Sequence, residues 1–401
     1  MRITCLTTLI LAFAITIAPA LQFISNYIFD FAGIGIGYRT LLIDILLVLL
    51  TIVVFVKSRE KRVLSRFFSM VILWVPWLVY LLYSSNFHGI GAWKLEMHIA
   101  RVVIPCFAIL ILYLAWPHKF PRYFFGAIVG TALLLILATY FFDLSEKDFY
   151  RNIWLSRLVA IAALYLLTVI IDSRKYRYIP VFLVFIMSMF MIGSRGPFLS
   201  FALAGMAYFI LRNRKNGMAI FMSIILFVSF STLFFVFQNL TEGAASFLSH
   251  GKAGSISDVK VDRFGVYAPT FGLIETAPVL GLGLGNWSTV FSRVYNVGFE
   301  DEYSYPHNIV LEILSELGIV GILLFLLLFL PIKKRLFTLD NRYNIYILMA
   351  FLFAMTSSDI TQNSAVFLFN LLSIAEFRRK QSVPEKEECM PKIENRRHRL
   401  I

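Results

Sequence analysis

Two arginines and one histidine are the residues of this sequence that are most clearly suited to binding or catalysis. Arg195 lies in the short segment Gly193-Ser194-Arg195-Gly196-Pro197, and Arg263 follows Asp262 in a long polar stretch. A guanidinium offers a planar set of donors that suits two phosphate oxygens at once. His307 stands between Pro306 and Asn308, and a histidine can accept a proton from a hydroxyl nucleophile near neutral pH.

Each of the three also has a simpler interpretation, which the sequence leaves open. Arg195 could form a structural salt bridge instead of an anion site. Arg263 could be a solvated surface charge neutralised by its neighbour Asp262. His307 could be an ordinary interfacial residue at the start of a helix.

Several further polar residues could support this chemistry. Tyr305 and Asn308 flank His307, and Glu312 and Glu316 lie one and two turns further along nearly the same helix face. Acids inside an apolar helix are costly and tend to face a cavity. The two glutamates could therefore orient His307, or they could pair with an arginine.

Other charged positions are weaker candidates. Asp359, in Ser357-Ser358-Asp359, could pair with Arg195 or Arg263, or could simply form a turn. The acidic run at 300–302 could hold a divalent cation, but such a run in a loop is usually solvated, and no metal site is expected. Asp44 and Arg157 fall inside apolar segments, where charges are functional candidates by default but could also stabilise each other.

The composition defines the elements that must position these residues. Of 401 residues 59% are hydrophobic and only 15% are charged, with a mean hydropathy of +0.77. Soluble domains carry about 25% charged residues, so the chain is predicted to be an all-α polytopic integral membrane protein. The net charge of +13 comes without a basic stripe interleaved with aromatics, so no nucleic-acid partner is expected.

Apolar stretches long enough to span a bilayer predict about twelve transmembrane helices. We place them at 4–24, 40–56, 67–83, 99–116, 123–142, 153–171, 178–193, 197–211, 218–237, 308–330, 343–358 and 361–376. The first also resembles a cleavable secretory signal; an uncleaved first helix is the favoured interpretation.

The distribution of Lys and Arg predicts the orientation of these helices. Most of the 37 basic residues fall in connections that share one side, which is therefore assigned to the cytoplasm together with both termini. Residues 1–376 are predicted to form the transmembrane domain, and 377–401 a disordered cytoplasmic tail. The opposite side carries one long loop, 238–307, between the ninth and tenth helices.

The second half of this loop is rich in apolar residues from Val266 to Trp287, so it is expected to fold back onto the membrane or the helix bundle. Its Gly281-Leu282-Gly283-Leu284-Gly285 segment is not a phosphate-binding loop, because no strand precedes it and no Gly-Lys-Ser/Thr follows. A close-packed turn is the better interpretation.

A set of short motifs in the second half of the chain resembles the bacterial O-antigen ligase and polymerase superfamily. The motifs are Gly193 to Pro197, Asp262-Arg263-Phe264 leading into Gly281 to Trp287, and Pro306-His307-Asn308 followed by Leu311-Glu312 and Glu316 to Gly321. Each motif is weak alone, but their order, spacing and common side of the membrane are specific.

The resemblance implies a membrane-embedded (C-type) glycosyltransferase that is inverting, metal-independent and without a cofactor. Its partners would be a polysaccharide donor on undecaprenyl pyrophosphate, the lipid A core acceptor and membrane lipids. Arg195 and Arg263 would bind the pyrophosphate, and His307 would be the catalytic base. Asp359 is similar to an acid of the family's ligases. The implied location is the bacterial inner membrane, with the active site facing the periplasm.

Two competing functions remain at this stage. A polymerase would use the same donor but another lipid-linked repeat as acceptor, and the motifs favour the ligase over it. A transporter also fits about twelve helices, yet the halves show no internal repeat and the large loop does not join two six-helix halves.

Overall fold

The computed structural model is helical throughout the part of the chain that it describes. It describes residues 61–86, 91–141, 149–192, 195–218, 263–295, 305–332, 341–356, 360–361 and 363–382, with isolated positions between 221 and 232. The helices are α1 (Lys61–Ser85), α2 (Gly91–His98), α3 (Ile104–Ala115), α4 (Phe120–Phe141), α5 (Phe149–Ser173), α6 (Ile179–Ile192), α7 (Arg195–Arg212), α8 (Arg263–Thr276), α9 (Trp287–Tyr295), α10 (Ile309–Leu327), α11 (Asn344–Thr356) and α12 (Ser364–Ser382).

The lengths and compositions of these helices define a polytopic membrane protein. Within the described residues, 5 helices are long and apolar enough to cross a bilayer. They are Val63–Ser85, Gly91–Ala115, Phe120–Leu137, Leu155–Ser173 and Ile309–Leu327. Three shorter apolar helices accompany them, Tyr176–Met191, Gly196–Arg212 and Asn344–Thr356. The predicted spans 4–24 and 40–56 lie outside the described residues, so a total of twelve stays a prediction.

The predicted connection 84–98 is wrong in its second half, because α2 occupies Gly91–His98. A π-helical turn, Ile99–Val103, joins α2 to α3. Pro105 lies in the first turn of α3 and lacks an N–H for the preceding turn, which fits a local widening of the helix at this point. The charges in α2 suggested a loop, but Lys94 and His98 are buried among partners from other helices.

The last helix also differs from its predicted bounds. The predicted cytoplasmic tail begins at 377, whereas α12 continues to Ser382. Glu376 accepts hydrogen bonds there from Arg379 and from the Tyr113 hydroxyl of α3. The end of α12 therefore has polar partners, which its apolar periodicity does not reveal.

A break at Gly318 divides α10 into two half-helices. Gly318 has φ 63° and ψ −163°, which is not helical. The segment 278–283 fills the break: the N–H groups of Leu282 and Gly283 donate to the carbonyls of Ser315 (2.8 Å) and Glu316 (2.9 Å). In return, the N–H groups on the other side of the break donate to that segment, Ile319 to Pro278 O (2.9 Å) and Val320 to Val279 O (3.2 Å). The backbone groups freed by the break are thus paired, as a membrane helix requires.

Gly318→Ala is expected to destabilise the protein by about 1–3 kcal/mol from backbone strain alone, because its backbone conformation is essentially restricted to glycine. A Cβ at this position would also lie 2.3 Å from the Val279 carbonyl oxygen. Thermal unfolding in detergent measures the loss. The matched control is Gly130→Ala in α4, where a Cβ meets nothing within 4 Å and the helix should keep or gain stability. Equal melting of the two variants would contradict this account of the break.

Contacts between distant segments define the two ends of the bundle. At one end, which we call the site end, the Ser84 hydroxyl accepts from Leu284 N at 2.9 Å, and a Cβ on Gly196 would meet Thr356 Oγ1 at 2.8 Å. At the opposite end Arg212 of α7 pairs with Asp172 of α5 at 3.4 Å. Between the ends, buried aromatic side chains such as Trp74, Trp77 and Phe367 pack α1 against α12.

Candidate functional site

A buried lysine and two buried glutamates form an ionic cluster at the site end. The Lys94 ammonium lies 2.6 Å from Glu312 Oε1 and donates to both Glu316 oxygens at 2.8 and 2.7 Å. Lys94, Glu312 and Glu316 are 5%, 1% and 2% exposed. Such charges are tolerated in a low-dielectric interior only when they are paired and hydrogen-bonded.

Each carboxylate also accepts a backbone hydrogen bond from a separate loop. Glu316 Oε2 accepts from Gly285 N at 2.9 Å, and Glu312 Oε2 accepts from Ile360 N at 2.9 Å. The cluster therefore joins α2, α10, the glycine-rich segment and the turn between α11 and α12. These are four segments of the chain that lie far apart in sequence.

The local sequence explains why these groups can approach so closely. Glu312 and Glu316 are four residues apart on α10, so both face α2. Gly281, Gly283 and Gly285 have φ values of 74°, 95° and 79°, a region that glycine adopts without strain. A Cβ on Gly281 would lie 2.3 Å from the Glu316 carbonyl carbon. The prediction of a close-packed turn, and of a loop that folds back onto the bundle, is confirmed for this segment.

Lys94 is the site residue that the sequence analysis missed. The two glutamates were expected to orient His307 or to pair with an arginine, and the cation that bridges them is this lysine. A signal was present, because two acids one turn apart in an apolar helix require a buried cation. Lys94 was overlooked because it lay in a segment interpreted as a loop.

His307 lies at the entry to α10 in a strained backbone conformation. Its φ is 55°, a left-handed conformation that is uncommon outside glycine and in which histidine is enriched. Asn308 follows as the N-cap, and its side-chain oxygen accepts from Val310 N (3.0 Å) and Leu311 N (3.2 Å). The Tyr305 and His307 rings pack with centroids 4.6 Å apart. Of the two predicted supporting residues, Tyr305 thus contacts the imidazole, and Asn308 follows His307 in the chain as the helix cap.

The imidazole is half-buried, and the backbone that follows it is fixed by the N-cap bonds of Asn308. This arrangement suits a group that must exchange protons with a bound hydroxyl. Backbone strain of this kind is concentrated at functional sites and costs about 1–3 kcal/mol.

Arg195 and Arg263 are the first residues of α7 and α8, and their side chains lie outside the described part of the structure. The start of α7 is at the site end, since Gly196 approaches Thr356 of α11. The α8 helix packs on α10 and α9, with the Trp287 indole donating to Thr270 Oγ1 at 3.1 Å. The meeting of the two guanidinium groups with His307 stays a prediction.

The remaining candidates have different outcomes. Asp359, Asp44 and the run 300–302 lie outside the described residues, although Ile360, next to Asp359, is held by Glu312. Arg157 is buried, and its guanidinium lies 5.9 Å from the centroid of the Phe353 ring. Among the described residues, no group of three metal-ligating side chains is found.

Together the fold and the site define a polytopic helical membrane protein with a buried ionic cluster of Lys94, Glu312 and Glu316 at one end of the bundle. Residues 180–326 of the chain match the family model described as O-antigen ligase, which supports the O-antigen ligase and polymerase superfamily. The match includes the segments that contain Arg195, Arg263, His307, Glu312 and Glu316, and it excludes Lys94 and Asp359. It confirms the resemblance, and it implies a glycosyltransferase activity of the ligase or polymerase class. A search of curated proteins gives no significant match.

Proposed function

We propose that the protein is an O-antigen ligase, which transfers a polysaccharide from undecaprenyl pyrophosphate to the outer core of lipid A. The observation that carries the proposal is the family match over 180–326, since that segment contains all three proposed reactive residues. The arrangement of α7, α10 and α11 at the site end supports it. An O-antigen polymerase, which shares the donor, is the alternative.

The donor already carries a good leaving group. A lipid diphosphate leaves without a general acid, provided that its growing negative charge is stabilised. Two guanidinium groups, Arg195 and Arg263, would supply that stabilisation through paired N–H donors. No metal ion is then required, and transfer that persists with a strong chelator would agree with this mechanism.

The acceptor is the poor reactant, because a neutral sugar hydroxyl is a weak nucleophile. His307 would accept its proton as the oxygen attacks the anomeric carbon from the face opposite the diphosphate. The C–O bond to the acceptor forms while the bond to the diphosphate breaks, and the configuration inverts. The proton stays on the imidazole until solvent removes it, and the diphosphate departs with the bonding electron pair.

The charge distribution supports an orientation with the site in the periplasm. Connections at the opposite end carry many basic residues, among them Arg177, Arg212, Arg342 and Arg379. Basic residues are enriched in cytoplasmic connections. The cluster of Lys94 and the entry of α10 would then face the periplasm of a bacterial inner membrane.

The long loop, 238–307, would favour transfer by excluding water from the reacting groups. Hydrolysis of the donor competes with transfer, so a closed site favours the sugar acceptor. The packing of 278–285 against α10 supports such a role, because it covers the Glu316 side of the cluster. The apolar helices around it would hold the polyprenyl chain.

Arg195→Ala and Arg263→Ala are expected to weaken donor binding and turnover together, since each removes a contact to the diphosphate in both the ground state and the transition state. Arg→Lys at either position should restore only part of the activity, because an ammonium cannot contact two oxygens in one plane. Donor affinity and initial rates measure both effects.

The matched control for these variants is Arg293→Ala. Arg293 is an exposed arginine of α9 in the same loop, and its loss should leave donor binding unchanged. If Arg195→Ala and Arg263→Ala bind donor as tightly as this control, the diphosphate site lies elsewhere.

Reconstitution distinguishes the ligase from the polymerase. The purified protein in liposomes receives lipid-linked O-antigen and lipid A core, and the products are separated by size and by lipid. A ligase forms lipopolysaccharide. Lengthening of the lipid-linked polysaccharide with no lipopolysaccharide formed would reverse the choice.

A further inference from the structure

The turn that follows α8 presents apolar side chains on the outside of the molecule. Val279 and Leu280 are 57% and 48% exposed, and Pro278 next to them is also exposed. Adjacent exposed apolar residues of this size normally mark a contact surface. The sequence places this turn in the long loop outside the membrane, where water would be the expected surroundings.

This turn continues the apolar outer face of a membrane-spanning helix. Ile319, Leu323, Leu326 and Leu330 follow one another at spacings of three and four residues, and each is 45–60% exposed. A stripe of this kind on a candidate span faces lipid. Val279 is joined directly to its upper end, since Val279 O accepts from Val320 N at 3.2 Å.

The three carbonyls of the turn are paired within the protein. The carbonyls of Pro278, Val279 and Leu280 accept from Ile319 N, from Val320 N and from the Tyr80 hydroxyl. Pro278 has no N–H to satisfy. Each carbonyl paired in this way lowers the cost of placing non-helical backbone at membrane depth.

The depth of the turn can be estimated along α10. The apolar stretch ends at Ile332, before Lys333, and about 20 helical residues span the hydrocarbon. Its upper boundary then lies near Glu312, and Gly318 lies about 9 Å below it. The exposed Glu275, one turn before Val279, would lie about 5 Å closer to the head groups than the tip.

From these observations we propose that Pro278, Val279 and Leu280 form a re-entrant tip, immersed in the acyl chains of the leaflet at the site end. The partner is bilayer hydrocarbon, because the tip is continuous with the lipid-facing stripe of α10. This proposal rests on the membrane location of α10 and is independent of the reaction catalysed.

Spin labels at single cysteines test the immersion in proteoliposomes. Cys5 and Cys389 are replaced with serine, and Cys106 is retained because it is buried. Val279→Cys and Leu280→Cys are labelled separately, and their collisions with oxygen and with a water-soluble nickel chelate are compared. Both side chains are exposed, so their replacement leaves the packing intact. Leu323→Cys is the lipid-facing control, and Arg293→Cys is the water-facing control from the same loop.

The expected result is a ratio of oxygen to nickel collisions at 279 and 280 that equals the ratio at 323 and exceeds the ratio at 293 several-fold. A ratio equal to that at 293 would place the turn in water and overturn the proposal. Low collision rates with both reagents would overturn it as well, because they would indicate a protein partner on this surface. Neither outcome depends on glycosyl transfer.

Discussion

Replacing His307 with alanine should reduce the rate of transfer by about 10²–10⁴-fold, which is the usual contribution of a positioned general base. Expression and donor binding should remain nearly intact, because the imidazole is proposed to act on the acceptor hydroxyl and not on the diphosphate. The measurements are donor affinity in detergent and initial rates of transfer with saturating donor.

The backbone at His307 requires a second variant, since alanine is disfavoured at a φ of 55°. Asparagine tolerates this conformation and cannot act as a base. His307→Asn should therefore keep the thermal stability of the native protein and lose transfer as fully as His307→Ala. Native rates in the asparagine variant would remove His307 from the mechanism as its base.

Lys94→Met should destabilise the folded protein by about 3–5 kcal/mol, the usual cost of removing one partner from a buried ion pair. The methionine fills much of the space of the lysine stem, so the loss reports charge more than volume. Glu312 and Glu316, at 1% and 2% exposure, would lose the cation that now lies within hydrogen-bonding distance of both. Thermal unfolding and the yield of monodisperse protein measure the effect.

A neutral version of the cluster separates charge from packing. This variant combines Lys94→Met with Glu312→Gln and Glu316→Gln, and each glutamine keeps an amide oxygen. The oxygen at 312 can still accept from Ile360 N, and the oxygen at 316 from Gly285 N. The triple variant should recover much of the lost stability, whereas Lys215→Met, at an exposed lysine, should change nothing. If Lys94→Met melts with the native protein, the cluster does not stabilise the site end.

Hydropathy predicted most of the described helices because burial in lipid demands long apolar runs. The helices predicted at 67–83, 123–142, 153–171 and 308–330 all overlap observed ones. The prediction for 91–98 was wrong for a physical reason: the charge of Lys94 is satisfied by a partner more than 200 positions away in the chain. A window of about twenty residues cannot detect such partners.

The site was partly predictable from the sequence, because charged residues in an apolar helix are conspicuous. Glu312 and Glu316 are predicted to be candidates because acids in an apolar helix are costly, and in the structure both pair with Lys94. Their cation was not found, since nothing near Lys94 in the sequence indicates which acids it meets. His307 was identified from its Pro and Asn neighbours, but its left-handed backbone depends on how the loop enters α10.

The glycines also show that a local motif does not reveal its distant partner in the sequence. The spacing of Gly281, Gly283 and Gly285 predicted a close-packed turn, whereas its partner, the break at Gly318, could not be predicted. A glycine in an apolar helix is usually tolerated without a change of conformation. Only the reciprocal backbone bonds with 278–283 show that this one divides the helix.

The division of α10 has a consequence for biosynthesis. Without its partner segment, the helix would enter the bilayer with the carbonyls of Ser315 and Glu316 and the N–H groups of Ile319 and Val320 unpaired, at several kcal/mol for each. That segment precedes the helix in the chain and is therefore synthesised first. Membrane integration of α10 and docking of the segment 278–283 must therefore be completed together. Deletion of 278–283 would leave a helix that the translocon cannot release stably into lipid.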